Sequence, residues 1–219
     1  MILALDKENK EENLKKLKNF YENSWCNPEI SEKQSYYIEN DIALYELFNK
    51  KDEICEQCKN INSKYSTRIS NKDIKIISGI IKKYIEDELD LNPESFLEKF
   101  KENGGLKNYK SFISKYCHWY YEVKNYGQIH FPIYDKYVRF GLIYYNVSYL
   151  CVEDFNKLKN LIDKFIEDYL PNKGYERIEI KLNKLKQNDF PEKISIYRLV
   201  DKFLWLQYKI AKEIDLFSD

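Results

Sequence analysis

The sequence predicts an all-α fold of about eight helices in two packed lobes, forming a single helical domain over residues 1–219. Glycine (6) and proline (5) are scarce, which favours long regular elements over tight turns. Apolar residues recur at helical spacing along most of the chain, and only one short segment alternates as a strand would. Hydrophobic residues make up 43% of the chain and charged residues 33%, the composition of a globular protein with a core.

The first half of the chain contains four segments with the apolar spacing of helices. They are Glu11–Tyr21, Ser31–Lys50, Asn71–Leu89 and a segment that starts at Asn92-Pro-Glu-Ser and stops at Asn103-Gly-Gly105. Asn71 is the predicted cap of the third helix. Pro93 would occupy the first position of the fourth, where its missing N–H has no cost. Cys55–Ser66 is polar, and its pattern does not decide between helix and loop.

The second half contains four more predicted helices. They are Asn108–Tyr121, Asp135–Tyr149, Glu153–Tyr169 and Ile194–Glu213. Pro171 and Gly174 end the third of these. In the charged stretch Tyr175–Lys186, the alternation Arg-Ile-Glu-Ile-Lys-Leu indicates a short strand.

Charge and hydropathy narrow the partners and the compartment. Lys+Arg and Asp+Glu balance at 36 each, so no general basic field favours nucleic acid. No apolar run approaches the roughly 18 residues of a membrane span, so we expect no membrane partner. The apolar stretch at the start of the sequence is too short, and is followed too soon by charged residues, to be a secretory signal. The odd number of cysteines, five, is typical of free thiols in a reducing compartment. We therefore expect a cytoplasmic protein.

The most informative stretch runs from Ser111 to Arg139. It places Lys115 inside a strongly apolar and aromatic helix, and Asp135 follows Phe-Pro-Ile-Tyr at the predicted start of the next helix. Burial disfavours the ammonium form of a lysine, and a neutral amine is a nucleophile that can form a Schiff base. A nearby carboxylate could position or deprotonate that amine.

The two halves of this stretch resemble a known catalytic segment. Phe-x-x-Lys-Tyr-x-His-Trp, followed by Phe-Pro-Ile-Tyr-Asp-x-Tyr-Val-x-Phe, is similar to the segment of helix-hairpin-helix DNA glycosylases that carries their lysine and aspartate. The similarity is greatest to the 8-oxoguanine DNA glycosylase branch and its short bacterial relatives. It covers residues 92–149, which the resemblance marks as a glycosylase-like catalytic segment.

The resemblance implies a DNA glycosylase/AP lyase, a DNA-repair enzyme that works on duplex DNA with a flipped base. Lys115 would attack C1′ of the damaged nucleotide, and Asp135 would activate the amine and stabilise positive charge on the sugar. Neither a metal nor a cofactor is expected. The aromatic and polar residues near the pair are candidates for the substrate pocket: Tyr116, His118, Trp119, Tyr134, Tyr137 and Arg139.

The sequence departs from the glycosylase pattern before the lysine. The family's Leu-Pro-Gly-x-Gly hairpin holds a DNA phosphate, whereas Gly104 and Gly105 here lack that pattern, and the iron–sulfur cysteines of some relatives are missing. One alternative is therefore a non-catalytic glycosylase-like protein that binds nucleic acid, a nucleotide or a protein partner, as in bacterial antiphage defence. A second is a helical adaptor whose tyrosines form a protein interface.

Ordinary structural roles remain open for each candidate residue. Lys115 could cover aromatic surface with its stem, with Asp135 a plain helix cap. Cys55-Glu-Gln-Cys58 has the spacing of half a zinc site without a second half nearby. Cys117 and His118 are adjacent on a helix and badly placed to act together. His130 could take part in acid–base chemistry or simply occupy a loop.

Overall fold

Helices dominate the computed structural model, which describes residues 4–25, 32–50, 53–87, 91–102, 109–124, 131–145, 154–180 and 192–213. The predicted all-α fold is confirmed. The helices in this part of the chain are α1 Lys10–Phe20, α2 Glu32–Asn49, α3 Ile54–Lys64, α4 Asn71–Glu86, α5 Pro93–Glu102, α6 Lys110–Lys124, α7 Lys136–Tyr144, α8 Phe155–Tyr169 and α9 Ile196–Glu213. A π-helical segment, Tyr21–Trp25, follows α1.

All eight predicted helices are present in the described ranges, and the ambiguous segment Cys55–Ser66 supplies a ninth there, α3. The predicted cap Asn71 is wrong, because Ser70 caps α4 by accepting a hydrogen bond from the Asp73 N–H at 3.1 Å. The predicted strand is confirmed as β1, Arg177–Glu179, which pairs antiparallel with β2, Lys193–Ser195. The predicted turn Asn103-Gly-Gly105 lies outside the described residues.

The described helices pack in two groups. Helices α2 to α6 pack on one another, and α1, α7, α8 and α9 form the second group with the short sheet. Helix α6 is buried along most of its length, including the polar residues Ser114, Lys115, His118 and Glu122. A helix buried on nearly all sides brings its polar groups into the interior, where each needs a partner.

Glu122 joins the two groups of helices. Its carboxylate accepts hydrogen bonds from the Ser195 hydroxyl at 2.6 Å and from the Ser195 N–H at 3.1 Å. Ser195 Oγ in turn accepts from the N–H of Arg198 at 3.1 Å, in the first turn of α9. Arg177 on β1 donates to the Glu122 carbonyl at 2.9 Å. These bonds fix the start of α9 against α6.

Helices α7 and α9 approach each other closely at Gly141. A Cβ atom at this position would lie 2.8 Å from the carbonyl oxygen of Leu204, which is closer than real Cβ contacts. Glycine therefore allows the two backbones to touch.

Among the described helices, none combines the length and the apolar character that crossing a bilayer requires.

Candidate functional site

Lys115 and Asp135 meet in the structure. The Lys115 Nζ lies 3.6 Å from Asp135 Oδ2. Asp135 is the N-cap of α7, and its other oxygen, Oδ1, accepts a hydrogen bond from the Tyr137 N–H at 2.8 Å. Ser114, next to the lysine on α6, accepts a hydrogen bond from the Tyr134 N–H at 2.9 Å. The segment that carries Asp135 is thus fixed directly on the helix that carries Lys115.

The amine of Lys115 is buried in partly aromatic surroundings. Its side chain is 3% exposed, whereas that of Asp135 is 22% exposed. The Nζ donates to Ser111 Oγ and lies 5.2 Å from the centre of the Tyr65 ring. Burial lowers the pKa of Lys115, and the carboxylates of Asp135 and Asp201 offset part of that effect. The amine consequently loses its proton more readily than an exposed lysine does.

A cavity of about 280 Å³ lies beside this pair, between the two groups of helices. Two residues that contact Lys115, Tyr65 and Asp135, are part of its wall. The complete lining comes from α2, the end of α3, the start of α7 and α9: Asn40, Asp41, Lys64, Tyr65, Ser66, Ile133, Asp135, Tyr137, Asp201, Lys202 and Trp205.

A buried cluster of charges around Arg198 adjoins the cavity, because its partners Asp41 and Asp201 line the cavity wall. The Nη2 of Arg198 contacts Asp41 Oδ2 directly, and its guanidinium stacks on Trp119 with 4.5 Å between Cζ and the ring centre. Burial alone would lower the pKa of Arg198, but the surrounding Asp41, Tyr65 and Asp201 raise it well above its usual value. Arg198 is therefore a permanent cation in the interior.

Two neighbours on α9 have strongly shifted pKa values. Burial raises the pKa of Asp201 to about 6, although Lys202 and Arg198 act in the opposite direction. Burial, with the repulsion of Arg198, lowers the pKa of Lys202 to about 8, and Asp41 and Asp201 oppose that shift. The Lys202 Nζ lies 3.7 Å from Asp41 Oδ2. Residues with such shifts in a cavity are candidates for a functional site.

Of the six residues expected around a substrate, Tyr137 lines the cavity. Trp119 and His118 lie behind its wall, where Trp119 Nε1 donates to the Tyr65 hydroxyl at 2.8 Å. His118 Nδ1 donates to the Phe131 carbonyl at 2.9 Å, which leaves Nε2 as the acceptor facing Arg198 Nη1 at 3.4 Å. His118 is thus a buried partner of Arg198.

The remaining three expected residues do not line this cavity. The Tyr116 hydroxyl donates to Gln57 Oε1 at 2.8 Å in the core of the first helix group. Arg139 lies over the Tyr134 ring at 4.6 Å, and that ring packs on Phe155. Tyr116, Tyr134 and Arg139 therefore have packing roles in the structure, through apolar burial and cation–π contact.

Sequence reasoning missed the cavity residues of α2, α3 and α9. A charged residue on a helix is usually solvated, so Asp41, Asp201 and Lys202 gave no signal by type alone. The available signal was context, because Asp201 and Lys202 stand between Leu199-Val200 and Phe203-Leu204 on one helix. A helix segment with apolar residues on both sides of a charged pair offers no solvated polar face for that pair, so burial of the pair is expected.

The other candidate sites gain little from the structure. Cys117 and Cys58 are buried, and burial raises the pKa of both thiols, which disfavours a thiolate nucleophile. Within the described ranges, no three histidine, cysteine, aspartate or glutamate side chains form a group that could hold a metal ion. His130 lies outside these ranges.

Comparisons with known proteins add no relative to this picture. Neither a scan against family models nor searches of curated proteins and of solved structures find a match to the chain.

Proposed function

We propose that this chain is a DNA glycosylase/AP lyase that excises a damaged or modified base, with Lys115 as nucleophile and Asp135 as its activator. The proposal is carried by one observation: the buried Lys115 amine lies 3.6 Å from the Asp135 carboxylate and contacts two residues of the cavity wall. The resemblance of the surrounding sequence to helix-hairpin-helix glycosylases led to the same two residues independently of this distance.

The arrangement suits amine chemistry at C1′ of a nucleotide. The uncharged amine forms a bond to C1′ as the bond between C1′ and the base breaks, and the base leaves with the electron pair and takes up a proton. Asp135 stabilises positive charge on the sugar and accepts the proton that the amine loses. Opening of the sugar ring gives an imine, from which β-elimination breaks the C3′–O bond and so cleaves the strand.

The lining of the cavity is an argument for a flat substrate. Tyr65, Tyr137 and Trp205 contribute aromatic surface to a wall that also carries polar and charged groups. Its volume, about 280 Å³, is near the lower end of the range of small-molecule pockets. An enzyme that acts on a base must take it out of the stack, and such a pocket can hold the extruded base. The partner under this proposal is duplex DNA, and the expected compartment is the cytoplasm.

Borohydride trapping tests the proposal. Reduction of the imine would join the protein to duplex or single-stranded DNA carrying an abasic site or 8-oxoguanine. Wild type should form this adduct and Lys115→Gln should not, a loss of at least ~100-fold. Lys110→Gln is the matched control, because Lys110 lies on the same helix, is partly exposed and is 5.9 Å from the Tyr134 ring. It should trap DNA as wild type does.

The experiment with abasic DNA tests the lyase chemistry separately from the question of which damaged base is excised. An adduct with abasic DNA but none with 8-oxoguanine supports the amine chemistry and assigns excision to another base. No adduct with either DNA, from a wild-type protein that melts cooperatively, overturns the proposal. An adduct that survives in Lys115→Gln overturns the assignment of Lys115.

A second function is favoured by the burial of the amine. With a side chain only 3% exposed and a bond to Ser111, Lys115 also suits a structural role. The formal net charge of +0 gives DNA no general attraction. The chain would then be a non-catalytic glycosylase-like protein that binds nucleic acid, a nucleotide or a protein partner, for example in antiphage defence. Biological activity that is unchanged in Lys115→Gln would support this function.

A further inference from the structure

Five aromatic side chains form a strip along the outer side of α7 and α9. They are Tyr137, Phe140 and Tyr144 on α7 and Trp205 and Tyr208 on α9, together the aromatic strip. The three on α7 are spaced i, i+3 and i+7, and the two on α9 are spaced i, i+3, so each set occupies one face of its helix. All five are partly or fully exposed, and Tyr144 is 37% exposed.

Ring contacts make the aromatic strip continuous. The centre of the Tyr137 ring lies 5.6 Å from that of Trp205 and 5.5 Å from that of Tyr208. Phe140 stacks on Tyr208, with 4.9 Å between the ring centres and 12° between the ring planes. Because Gly141 lets α7 and α9 touch, rings from both helices share one surface. Tyr137 and Trp205 also line the cavity, so the strip begins at the cavity wall.

The adjacent helix α8 has a different outward face. An amphipathic helix normally keeps polar residues on the side opposite its buried stripe. Helix α7 buries Val138, Gly141 and Leu142 as such a helix does, yet it places aromatic rings on the side that solvent reaches. A contiguous aromatic surface of this kind is typical of an interaction site. The fully exposed residues of α8, in contrast, are all polar: Asn156, Lys157, Asn160, Lys164 and Glu167.

Cations accompany the aromatic strip. Helix α7 contains Lys136 and Arg139 and neither aspartate nor glutamate. Lys136 is exposed, and its Nζ lies 5.0 Å from the centre of the Tyr137 ring. Arg139 and Lys110 both lie over the Tyr134 ring, at 4.6 Å and 5.9 Å from its centre. Aromatic rings beside positive charge are complementary to a polyanion that carries flat bases.

An unpaired DNA strand fits this surface better than a duplex does. In a duplex the faces of the bases are covered by their neighbours, whereas unpaired bases can stack on aromatic side chains. Duplex binding depends mainly on contacts to phosphates, and a formal net charge of +0 gives the chain no general attraction to them. Stacking requires no such field, because every base has a face that a ring can cover.

We propose that the aromatic strip stacks on the bases of an unpaired DNA strand and leads that strand to the cavity. The inference rests on the proposed function for the choice of DNA. It also refines that function, because it makes an unpaired strand the preferred form of the substrate instead of a continuous duplex. Tyr137 and Trp205 hold the nucleotide at the cavity wall, while Phe140, Tyr144 and Tyr208 bind the nucleotides next to it.

Fluorescence anisotropy with labelled, undamaged oligonucleotides tests the inference. Wild type should bind a short single-stranded oligothymidine at least about tenfold more tightly than a duplex of equal length. Its affinity should depend only weakly on salt. About three phosphate contacts on a single strand correspond to a slope of roughly −2 in a plot of log K against log salt concentration.

Two substitutions remove single rings of the strip that do not line the cavity. Tyr208→Leu and Tyr144→Leu should each weaken oligothymidine binding at least about fivefold, the lower end of the effect of one stacking ring. Tyr144 is the more exposed of the two, so its substitution keeps the test valid if Tyr208→Leu lowers the Tm. Tyr175→Leu is the matched control, because Tyr175 is also partly exposed and lies between α8 and β1, outside the strip. It should bind as wild type does.

Several outcomes would overturn the inference. Duplex binding as tight as that of the single strand would do so, as would no oligothymidine binding or equal weakening by Tyr175→Leu. Tighter binding of oligouridine would make the strand RNA rather than DNA. A wild-type dimer in light scattering that Tyr144→Leu dissociates would assign the strip to a second copy of the chain.

The two proposals fail separately. Undamaged oligothymidine offers neither an abasic site nor a damaged base, so its binding requires no chemistry at Lys115. Borohydride trapping of abasic DNA without a preference for the unpaired strand overturns the role of the aromatic strip and leaves the amine chemistry. Binding of the unpaired strand without trapping overturns the chemistry and supports a chain that binds single-stranded DNA without excising a base.

Discussion

Two buried cation–aspartate pairs lie close together in this molecule, and they differ in nearly every physical respect. Arg198 contacts Asp41 directly, the side chains are 1% and 3% exposed, and Trp119 covers the guanidinium. Lys115 lies 3.6 Å from Asp135, whose side chain is 22% exposed at the cavity wall. The first pair is closed off from solvent, whereas one partner of the second remains in contact with it.

The difference shows how the type of cation decides what burial does. A guanidinium keeps its proton in proteins, so burial of Arg198 fixes a positive charge that several carboxylates and a ring must surround. A lysine can release its proton instead, and burial lowers the pKa of Lys115. We infer that the Arg198 pair organises the fold, while the Lys115 pair is the one suited to chemistry.

The largest expected effect comes from breaking the Arg198 pair. Arg198→Met should lower the free energy of unfolding by about 3–5 kcal/mol, because Asp41 and Asp201 would remain as buried carboxylates without their main cation. Urea denaturation followed by far-UV circular dichroism measures this change. A loss below about 1 kcal/mol would contradict the structural role of the pair.

A smaller effect concerns the pH dependence of stability around the same cluster. The pKa of Asp201 is about 6 in the folded chain and 3.8 in an unfolded reference, so the folded state binds the proton more tightly. The contribution of this group to stability is therefore greatest below pH 4 and is lost as pH rises towards about 6. The free energy of unfolding of wild type should therefore fall by on the order of 1–3 kcal/mol over this range, and that of Asp201→Asn should lack this fall.

The measurement is the free energy of unfolding of both proteins at several pH values between 4 and 7. Subtracting the two profiles cancels the other carboxylates, which titrate in the same range. A difference profile that is flat, or that slopes the other way, would show that Asp201 has an ordinary pKa in the folded chain.

The smallest expected effect on stability belongs to Lys115. Lys115→Met keeps the apolar stem and removes an ammonium whose burial is unfavourable, so the free energy of unfolding should change by less than about 1 kcal/mol. The Asp135 carboxylate remains 22% exposed and can be solvated. Denaturation under the conditions used for Arg198→Met gives the comparison. A loss similar to that of Arg198→Met would make the two pairs equivalent and Lys115 structural.

Local sequence signals were sufficient for most of the helices, whereas the pairing of Lys115 with Asp135 was expected from the resemblance to a known catalytic segment. Helix periodicity and the Phe-Pro-Ile-Tyr-Asp pattern each span only a few residues, and the cap role of Asp135 depends on its neighbour Tyr137. The segment of α3 was ambiguous because it is mostly polar and its apolar residues at helical spacing are few, namely Ile54, Cys58 and Ile61. Its burial comes from packing against α2, α4 and α6.

The cavity could not be predicted, because it is a property of tertiary packing. Asn40 and Lys64 lie 24 positions apart, and Asp201 is farther still along the chain. Asn40 and Lys64 look like solvated helix residues until α2 and α3 are brought together with α9. The apolar neighbours of Asp201 indicate burial but not a cavity. Of the six expected pocket residues, Tyr137 lines the cavity. Tyr116, His118 and Trp119 lie in the core instead, because the helix that carries them, α6, is buried along most of its length.

The geometry of the site depends on Gly141, although this residue does not line the cavity. Because the α7 backbone rests on the Leu204 carbonyl at this glycine, the spacing between the two helices is set by contact of main chain with main chain. Asp135 caps one of these helices, while Asp201 and Trp205 belong to the other. The width of the cavity on this side thus depends on the missing Cβ of residue 141. A methyl group at this position would push the two helices apart without changing any side chain that lines the cavity.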